Sequence, residues 1–303
     1  MGERLKGKVA IVTGGGRGIG RGEALALAAE GAKVVVCDLG GGVDGSGGSA
    51  SPADEVVAEI KKMGGEAVAN YDSVTTWEGG ENIVKTALDN FGGVHILVNN
   101  AGILRDRMLF NMTFEEWEAV MKVHLYGTFN CTRHVAPLFR QQRWGRIINT
   151  SSTSGLGNMG QANYSAAKEG IVGFTRTTAR DLGRYGVTAN AIRPNAGTRL
   201  TLSPELKTAW ERSGMGHLYQ MLESMPPEGI APLVVYLSTD AAANINGCVL
   251  WVQEGEIGVY PEPKPERVIY KVGRWTQEEL EELMPRTVAA GLVNPAPPQA
   301  PKE

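Results

Sequence analysis

The stretch Arg146–Lys168 holds a hydroxyl, a phenol and an amine at spacings suited to moving a proton. Tyr164 and Lys168 stand four residues apart in an Ala-rich run, and on a helix that spacing puts both side chains on one face, about 5–6 Å apart. A free tyrosine has a pKa of about 10 and is a poor base at neutral pH. A neighbouring ammonium stabilises the phenolate by about 1.4 kcal/mol per pKa unit, so Lys168 is expected to bring Tyr164 into working range. Ser151 lies thirteen residues before Tyr164, where the apolar run Ile147-Ile148-Asn149-Thr150 empties into a Gly/Ser loop. That run reads as a buried strand, and strand ends are where parallel sheets place their chemistry. Taken alone, a Tyr-x-x-x-Lys pair is also what an ordinary amphipathic helix surface produces.

A second stretch suits an anion. Lys8–Thr13 is a short apolar strand running into Gly14-Gly15-Gly16-Arg17-Gly18-Ile19-Gly20 and then an Ala/Leu helix. Gly14, Gly18 and Gly20 let the backbone turn tightly and approach a pyrophosphate, while the helix start near Gly18 offers free N–H groups and a positive dipole end. Asp38, at the end of the next strand, can accept hydrogen bonds from adenosine ribose hydroxyls, and its charge repels the 2′-phosphate of NADP. At an effective dielectric near 20, unit charges about 4 Å apart repel by about 4 kcal/mol, and half of that is still more than tenfold. NAD is therefore expected as the cofactor, with Arg17 in the glycine loop pulling toward NADP.

The loop T-G-x-x-x-G-x-G from Thr13, Asn99-Asn100-Ala101-Gly102 after another apolar strand, and Ser151, Tyr164 and Lys168 together resemble the short-chain dehydrogenase/reductase family over about residues 5–255. The resemblance implies that Ile19 lies over the cofactor's backbone turn, Asp72 and Ser73 beside the adenine, and Asn100, Ala101 and Gly102 along the nicotinamide ribose. It further implies that Ser151 holds the substrate oxygen, that Tyr164 exchanges the proton, and that Lys168 lowers the Tyr164 pKa and bridges to the nicotinamide ribose. Ser152, Thr153 and Ser154 crowd the same loop, but only Ser151 has the family's spacing to Tyr164.

Two departures narrow the resemblance. His124 stands where most members carry an Asn of the proton relay, and an imidazole can also pass a proton or hold a water. Pro194-Asn195-Ala196-Gly197-Thr198 replaces a direct Pro-Gly in the loop that covers the nicotinamide carboxamide, where Asn195 is expected to supply contacts. With Asp38-Leu39-Gly40-Gly41 and Asn99–Arg107, these features are similar to the dehydrogenase unit of peroxisomal multifunctional enzyme type 2, also called 17β-hydroxysteroid dehydrogenase type 4. That similarity implies a stand-alone bacterial-type enzyme interconverting a (3R)-hydroxyacyl-CoA and its 3-oxoacyl-CoA with NAD, on fatty or steroid side-chain acyl groups. A steroid alcohol dehydrogenase or a 3-oxoacyl thioester reductase would use the same residues. The alternative of another class is a catalytically silent nucleotide-binding scaffold, against which the Ser151, Tyr164 and Lys168 set argues.

Positioning these groups requires alternating elements. Apolar strand-like runs recur at Val9–Thr13, Lys33–Asp38, Glu66–Asn70, Val94–Asn99, Arg146–Thr150, Val187–Ile192 and Cys248–Val252. Helical patterns between them include Gly18–Ala29, Pro52–Met63, Glu81–Phe91, Thr113–Arg140, Gln161–Tyr185 and Pro232–Thr239. Parallel neighbours require long crossovers, so this alternation predicts an α/β fold: a doubly wound seven-stranded parallel sheet with helices on both faces. The catalytic domain is expected over 1–255, with a Met/Leu-rich substrate lid at about 199–226 that turns at Ser213–Gly216, and a C-terminal extension over 256–303, disordered at its end. The tract Gly40–Ser51 is longer than the usual connection and reads as a surface loop near the adenosine end, a candidate rim.

Composition limits the partners. With 42% hydrophobic and 21% charged residues and a net charge of −3, the chain is an ordinary globular protein without the clustered positive charge that nucleic acid or a membrane surface requires. Cys37, Cys131 and Cys248 read as reduced packing residues with no metal or disulfide role. No signal segment, membrane span or Ser-Lys-Leu ending is read, so the expected compartment is the cytoplasm. The helices Thr113–Arg140 and Gln161–Tyr185 carry apolar residues on more than one face, and the family resemblance implies a homo-oligomer, dimer or tetramer, paired through them.

Overall fold

Strand β1 (Val9–Thr13) is apolar throughout because both its faces are covered: Ala10 and Val12 enter one core layer, Val9 and Ile11 the other. The computed structural model describes residues 2–202, 207–208, 211 and 216–298. Its sheet is ordered β3-β2-β1-β4-β5-β6-β7-β8, with β2 at Lys33–Cys37, β3 at Ala67–Asn70, β4 at Ile96–Asn99, β5 at Gly145–Thr150, β6 at Val187–Pro194, β7 at Val249–Gln253 and β8 at Glu256–Val259. The first seven strands run parallel, in the doubly wound arrangement, and the order reverses between β1 and β4. At such a reversal the connections leave to opposite faces and open a crevice at the strands' C-terminal ends.

The sheet has eight strands, not seven. β8 pairs antiparallel with β7 through a two-residue turn, Glu254-Gly255, in which Gly255 takes φ +73. Glycine suits the positive φ of such hairpin turns. β8 carries no buried apolar run: Ile257 and Val259 are 60% and 68% exposed, so hydrophobicity alone assigned this stretch to the extension.

Helices α1 (Gly18–Ala29), α2 (Ser51–Lys62) and α8 (Ala231–Leu237) supply one layer, while α3 (Trp77–Phe91), α5 (Gly127–Gln142) and α6 (Ala162–Leu182) supply the other. The expected single helix Thr113–Arg140 is three pieces: α4 (Phe114–Met121), a π-turn over Lys122–Tyr126, and α5. Thr113 and Glu116 form a capping box that starts α4, satisfying two end amides. Helix α7 (Gly216–Glu223) follows in the expected lid region; the turn expected at Ser213-Gly214-Met215 lies outside the described residues.

The chain divides into two units, Met1–Tyr260 and Pro261–Glu303. Within the second, a capping box between Thr276 and Glu279 starts α9 (Gln277–Leu283), and the Arg267 guanidinium donates to the carbonyls of Thr287 and Ala290. Of the last eight or so residues, expected to be disordered, 299–303 lie outside the described residues. No helix among the described residues is long and apolar enough to cross a membrane.

Candidate active site

The crevice at the β1/β4 reversal opens into a cavity of about 650 Å³. Gly14, Arg17, Gly18, Ile19, Asp38, Asp72, Ser73, Asn100, Ala101, Gly102, Gly197 and Thr198 all line it. Gly14 takes φ +64, and a Cβ there would stand 2.8 Å from Ala101 Cα, so only glycine lets the two loops close on each other. At Gly20 a side chain would meet the Gly14 carbonyl and the Asn100 amide; this glycine seats α1 against the loop rather than facing the cavity. Arg17, the residue before α1, makes no side-chain cap, leaving the first-turn amides to an incoming anion. The cradle fits a dinucleotide pyrophosphate.

Asp38 is held by two backbone amides, Gly16 N to Oδ2 at 2.8 Å and Gly40 N to Oδ1 at 2.6 Å. Each oxygen retains a further lone pair for a ribose hydroxyl. Asp72 accepts from the Asn70 and Asn82 amides, and Ser73 pairs with Thr75 at 2.8 Å. The Asn100 amide donates to the carbonyls of Thr13 and Gly14, both at 3.1 Å, which ties the two strand-end loops together. Asn195 lies outside the cavity lining: its amide donates to Gln253 Oε1 at 3.0 Å, and its backbone N–H continues the β6–β7 ladder to Val252. Pro194 ends β6 just before it.

At the adjoining ends of β5 and α6 the two neighbouring serines, Ser151 and Ser152, make different contacts. Ser151 is 1% exposed and its hydroxyl donates to the Lys168 backbone carbonyl at 2.8 Å, so it fastens β5 to α6. Ser152 is the hydroxyl that bears on the phenol, its hydrogen bonding opposing the effect of burial on Tyr164. The reason is strand geometry. The Ser151 N–H still pairs with Ile192 across β5–β6, and successive side chains in extended backbone point to opposite sides. Ser152 also accepts from Ser154 N at 3.1 Å, which starts the short turn Thr153–Leu156.

Burial, not a neighbouring charge, is the largest influence on the Tyr164 pKa. Burial pushes the phenol up to about 12, with Asp106 adding to the rise. Burial likewise brings Lys168 down to about 7. The Lys168 amine donates to the Thr150 carbonyl at 2.6 Å and stands 5.4 Å from the Tyr164 ring centre, on the same helix face as expected. Two desolvated groups are thus held on one helix face, each biased toward its neutral form.

His124 sits in the π-turn, 2% exposed, with its ring edge-on to Tyr164 at 5.1 Å between centres. Its Nε2 lies 3.1 Å from Ile103 N and 2.8 Å from Ile103 O, while Nδ1 has no hydrogen-bond partner among the described residues. Burial, and then the charge of Lys168, hold its pKa well below the ordinary imidazole range. A Cβ on Gly102 would come within 2.6 Å of the imidazole, so glycine there makes room for the ring.

Three polar residues position these groups, of which motif reading passed over Asn163 and Asn149. Asn163 is fully buried; its amide donates to the Arg105 and Glu116 carbonyls at 2.9 and 3.0 Å and its oxygen accepts from Tyr164 N at 2.7 Å, locking the start of α6. Asn149 accepts from Asn99 at 2.8 Å and donates to Thr175 at 2.9 Å, tying β4, β5 and α6. Thr13 accepts from both Asn100 N and Ala101 N. A buried Asn or Thr in an otherwise apolar strand is the available signal, since such groups persist only when hydrogen-bonded. All three cysteines are free, and no group of three or more His, Cys, Asp or Glu among the described residues is placed to hold a metal.

The sequence pattern described as short chain dehydrogenase matches residues 8–203. Peroxisomal multifunctional enzyme type 2 of Mus musculus is 47% identical over 258 residues, covering 84% of this chain but only 33% of that protein. A hydroxyacyl-CoA dehydrogenase of Mycobacterium tuberculosis is 40% identical over 291 residues, covering 91% of this chain and 87% of the relative. Among solved structures, a short chain dehydrogenase from Mycobacterium avium superposes with a TM-score of 0.81 at 44% identity, covering 97% of this chain and 98% of that one.

Proposed function

Because the chain belongs to the short-chain dehydrogenase/reductase family, we propose that it is an NAD-dependent oxidoreductase interconverting a (3R)-hydroxyacyl-CoA and the corresponding 3-oxoacyl-CoA. The observation that carries the reading is a glycine-lined cavity whose Gly102 packs against His124, which in turn stands edge-on to a half-buried Tyr164 beside half-buried Ser152 and buried Lys168. The Mycobacterium tuberculosis hydroxyacyl-CoA dehydrogenase similarity supports the acyl thioester class, and Asp38 at the ribose end supports NAD.

A bound nicotinamide supplies the hydride acceptor. The protein's own groups handle the proton and the orientation. Ser152, whose hydroxyl is near the phenol, holds the substrate oxygen. Tyr164 takes the hydroxyl proton in oxidation and returns it in reduction. In its protonated form Lys168, on the same helix face, offsets the cost of the phenolate that burial otherwise raises. His124, with Nδ1 unpaired, is the continuation of the proton path, taking the place of the relay Asn. Water exclusion strengthens each of these interactions.

NADH formation at 340 nm with (3R)- and (3S)-hydroxyacyl-CoA of several chain lengths, free steroids and sugars, each with NAD and NADP, tests the proposal. The expected result is turnover of a (3R)-thioester with at least about tenfold preference for NAD. Turnover of free steroids alone would move the assignment to a steroid alcohol dehydrogenase. Nucleotide binding without turnover of any substrate would favour the scaffold.

A further inference from the structure

The Gly/Ser tract between β2 and α2 is not a loose rim. Leu39–Ser49 closes on itself, Ser49 N donating to the Leu39 carbonyl at 2.9 Å, with an inner turn from Gly42 N to the Ser46 carbonyl at 2.7 Å. A compact surface loop whose ends meet is an Ω-loop. Its body then reaches across the cavity. Leu104 N donates to the Val43 carbonyl and the Arg105 side chain to the Asp44 carbonyl, both at 2.9 Å, on the far wall formed by the β4–α4 connection. Near its neck, Arg199, from the segment after β6, donates to the Gly41 carbonyl at 2.9 Å, and Arg17 to the same oxygen at 3.4 Å. Gly41, Gly42, Gly45 and Gly47 line the same cavity as Gly14, Gly18 and Ile19.

The loop therefore bridges the nucleotide cavity from one wall to the other. A dinucleotide whose adenosine half occupies the Asp38 end lies underneath this bridge. The ties are a few neutral and charge-assisted hydrogen bonds, and the glycines leave the backbone free to adopt an open form. We propose that segment 40–49 is a clasp over the cofactor site, and that Arg105 and Arg199 are positioning residues that latch it and set how long the dinucleotide stays bound. The inference rests on the dehydrogenase reading above. It also gives Arg199 a task outside the substrate lid to which the sequence assigned it: the segment after β6 closes over the cofactor's nucleotide half as well as over substrate.

Stopped-flow displacement of bound NADH, followed by its fluorescence, tests the clasp in the full chain. Arg105→Ala and Arg199→Ala should each raise the dissociation rate by roughly threefold or more, and replacing Gly42–Gly48 with a two-residue link by roughly tenfold or more, since such changes act mainly on release. Arg105→Lys should restore part of the effect. The KM for NAD should rise in the same order while kcat does not fall, a split that general damage to the fold would not give. Release within twofold of the unaltered protein in all three variants would overturn the clasp. Failure of the unaltered protein to bind NADH at all would overturn the dehydrogenase reading itself.

Discussion

Ser151 and Ser152 differ in what each hydroxyl faces, and substitution should separate them. Ser152→Ala is expected to lower kcat/KM by about 10²-fold or more, as loss of a group that orients and exchanges protons typically does, with NADH affinity near normal. Ser151→Ala removes a buried hydrogen bond to the Lys168 carbonyl, which costs stability by about 1 kcal/mol and leaves turnover within a few-fold. Tyr164→Phe should resemble Ser152→Ala in direction and exceed it in size. The reverse pattern, with Ser151→Ala the crippled variant, would return the role to the residue chosen by spacing. The burial that raises Tyr164 and lowers Lys168 makes the pair dependent on what enters the site. Any positive charge arriving beside the phenol lowers its pKa, so the phenolate is more populated, and Tyr164 more available as a base, when the site is filled.

At the scale of an element, helix α1 carries a feature unrelated to the cradle it begins. Glu23 is fully buried, and neither carboxyl oxygen has a hydrogen-bond partner among the described residues. Burial alone raises its pKa to about 8. With the folded value above the unfolded one, the stability linked to this group is fully present below about pH 4.5 and is lost as pH rises through about 8, at about 1.4 kcal/mol per unit. Lys168 runs the opposite way: its folded value is depressed, so its contribution is present above about pH 10.5 and lost as pH falls through about 7. Glu23→Gln should therefore unfold close to the parent at pH 4.5 and increasingly later in urea as pH approaches 8. Parallel midpoints across that range would show that Glu23 is ionised and paired in solution. The π-turn is a second element with a local cause, since the extra residue it accommodates is what sets His124 inward beside Tyr164.

For the whole molecule, the outer face of α5 and its neighbours leaves aromatic area uncovered. Tyr126 and Phe129 are 53% and 44% exposed, and the Phe129 ring contacts both Trp77 and Phe174 at 6.2 Å between centres. A continuous aromatic patch spanning α3, α5 and α6 suits a self-complementary contact between copies. Light scattering at micromolar concentration should give a dimer or tetramer, and Phe129→Glu, which places a charge in that patch, should shift it toward monomer. A monomeric unaltered protein would remove the assembly expectation.

Local chemistry in the sequence was enough for the alternating α/β architecture, the tight glycine loop and the Tyr164–Lys168 pair on one helix face, because each rests on interactions a few residues apart: helical spacing, strand periodicity, positive φ at glycine. What it left undecided depends on contacts distant in the chain. Which way Ser151 and Ser152 face, on which the proposed role of Ser152 rests, depends on the pleat of β5 against β6 and on where α6 docks. The eighth strand exists because a tight turn folds exposed residues back on β7. The direction of the Tyr164 and Lys168 shifts follows from burial, which is a property of the assembled layers: a residue four places away can offer a charge, but only the tertiary structure decides whether water is present to screen it.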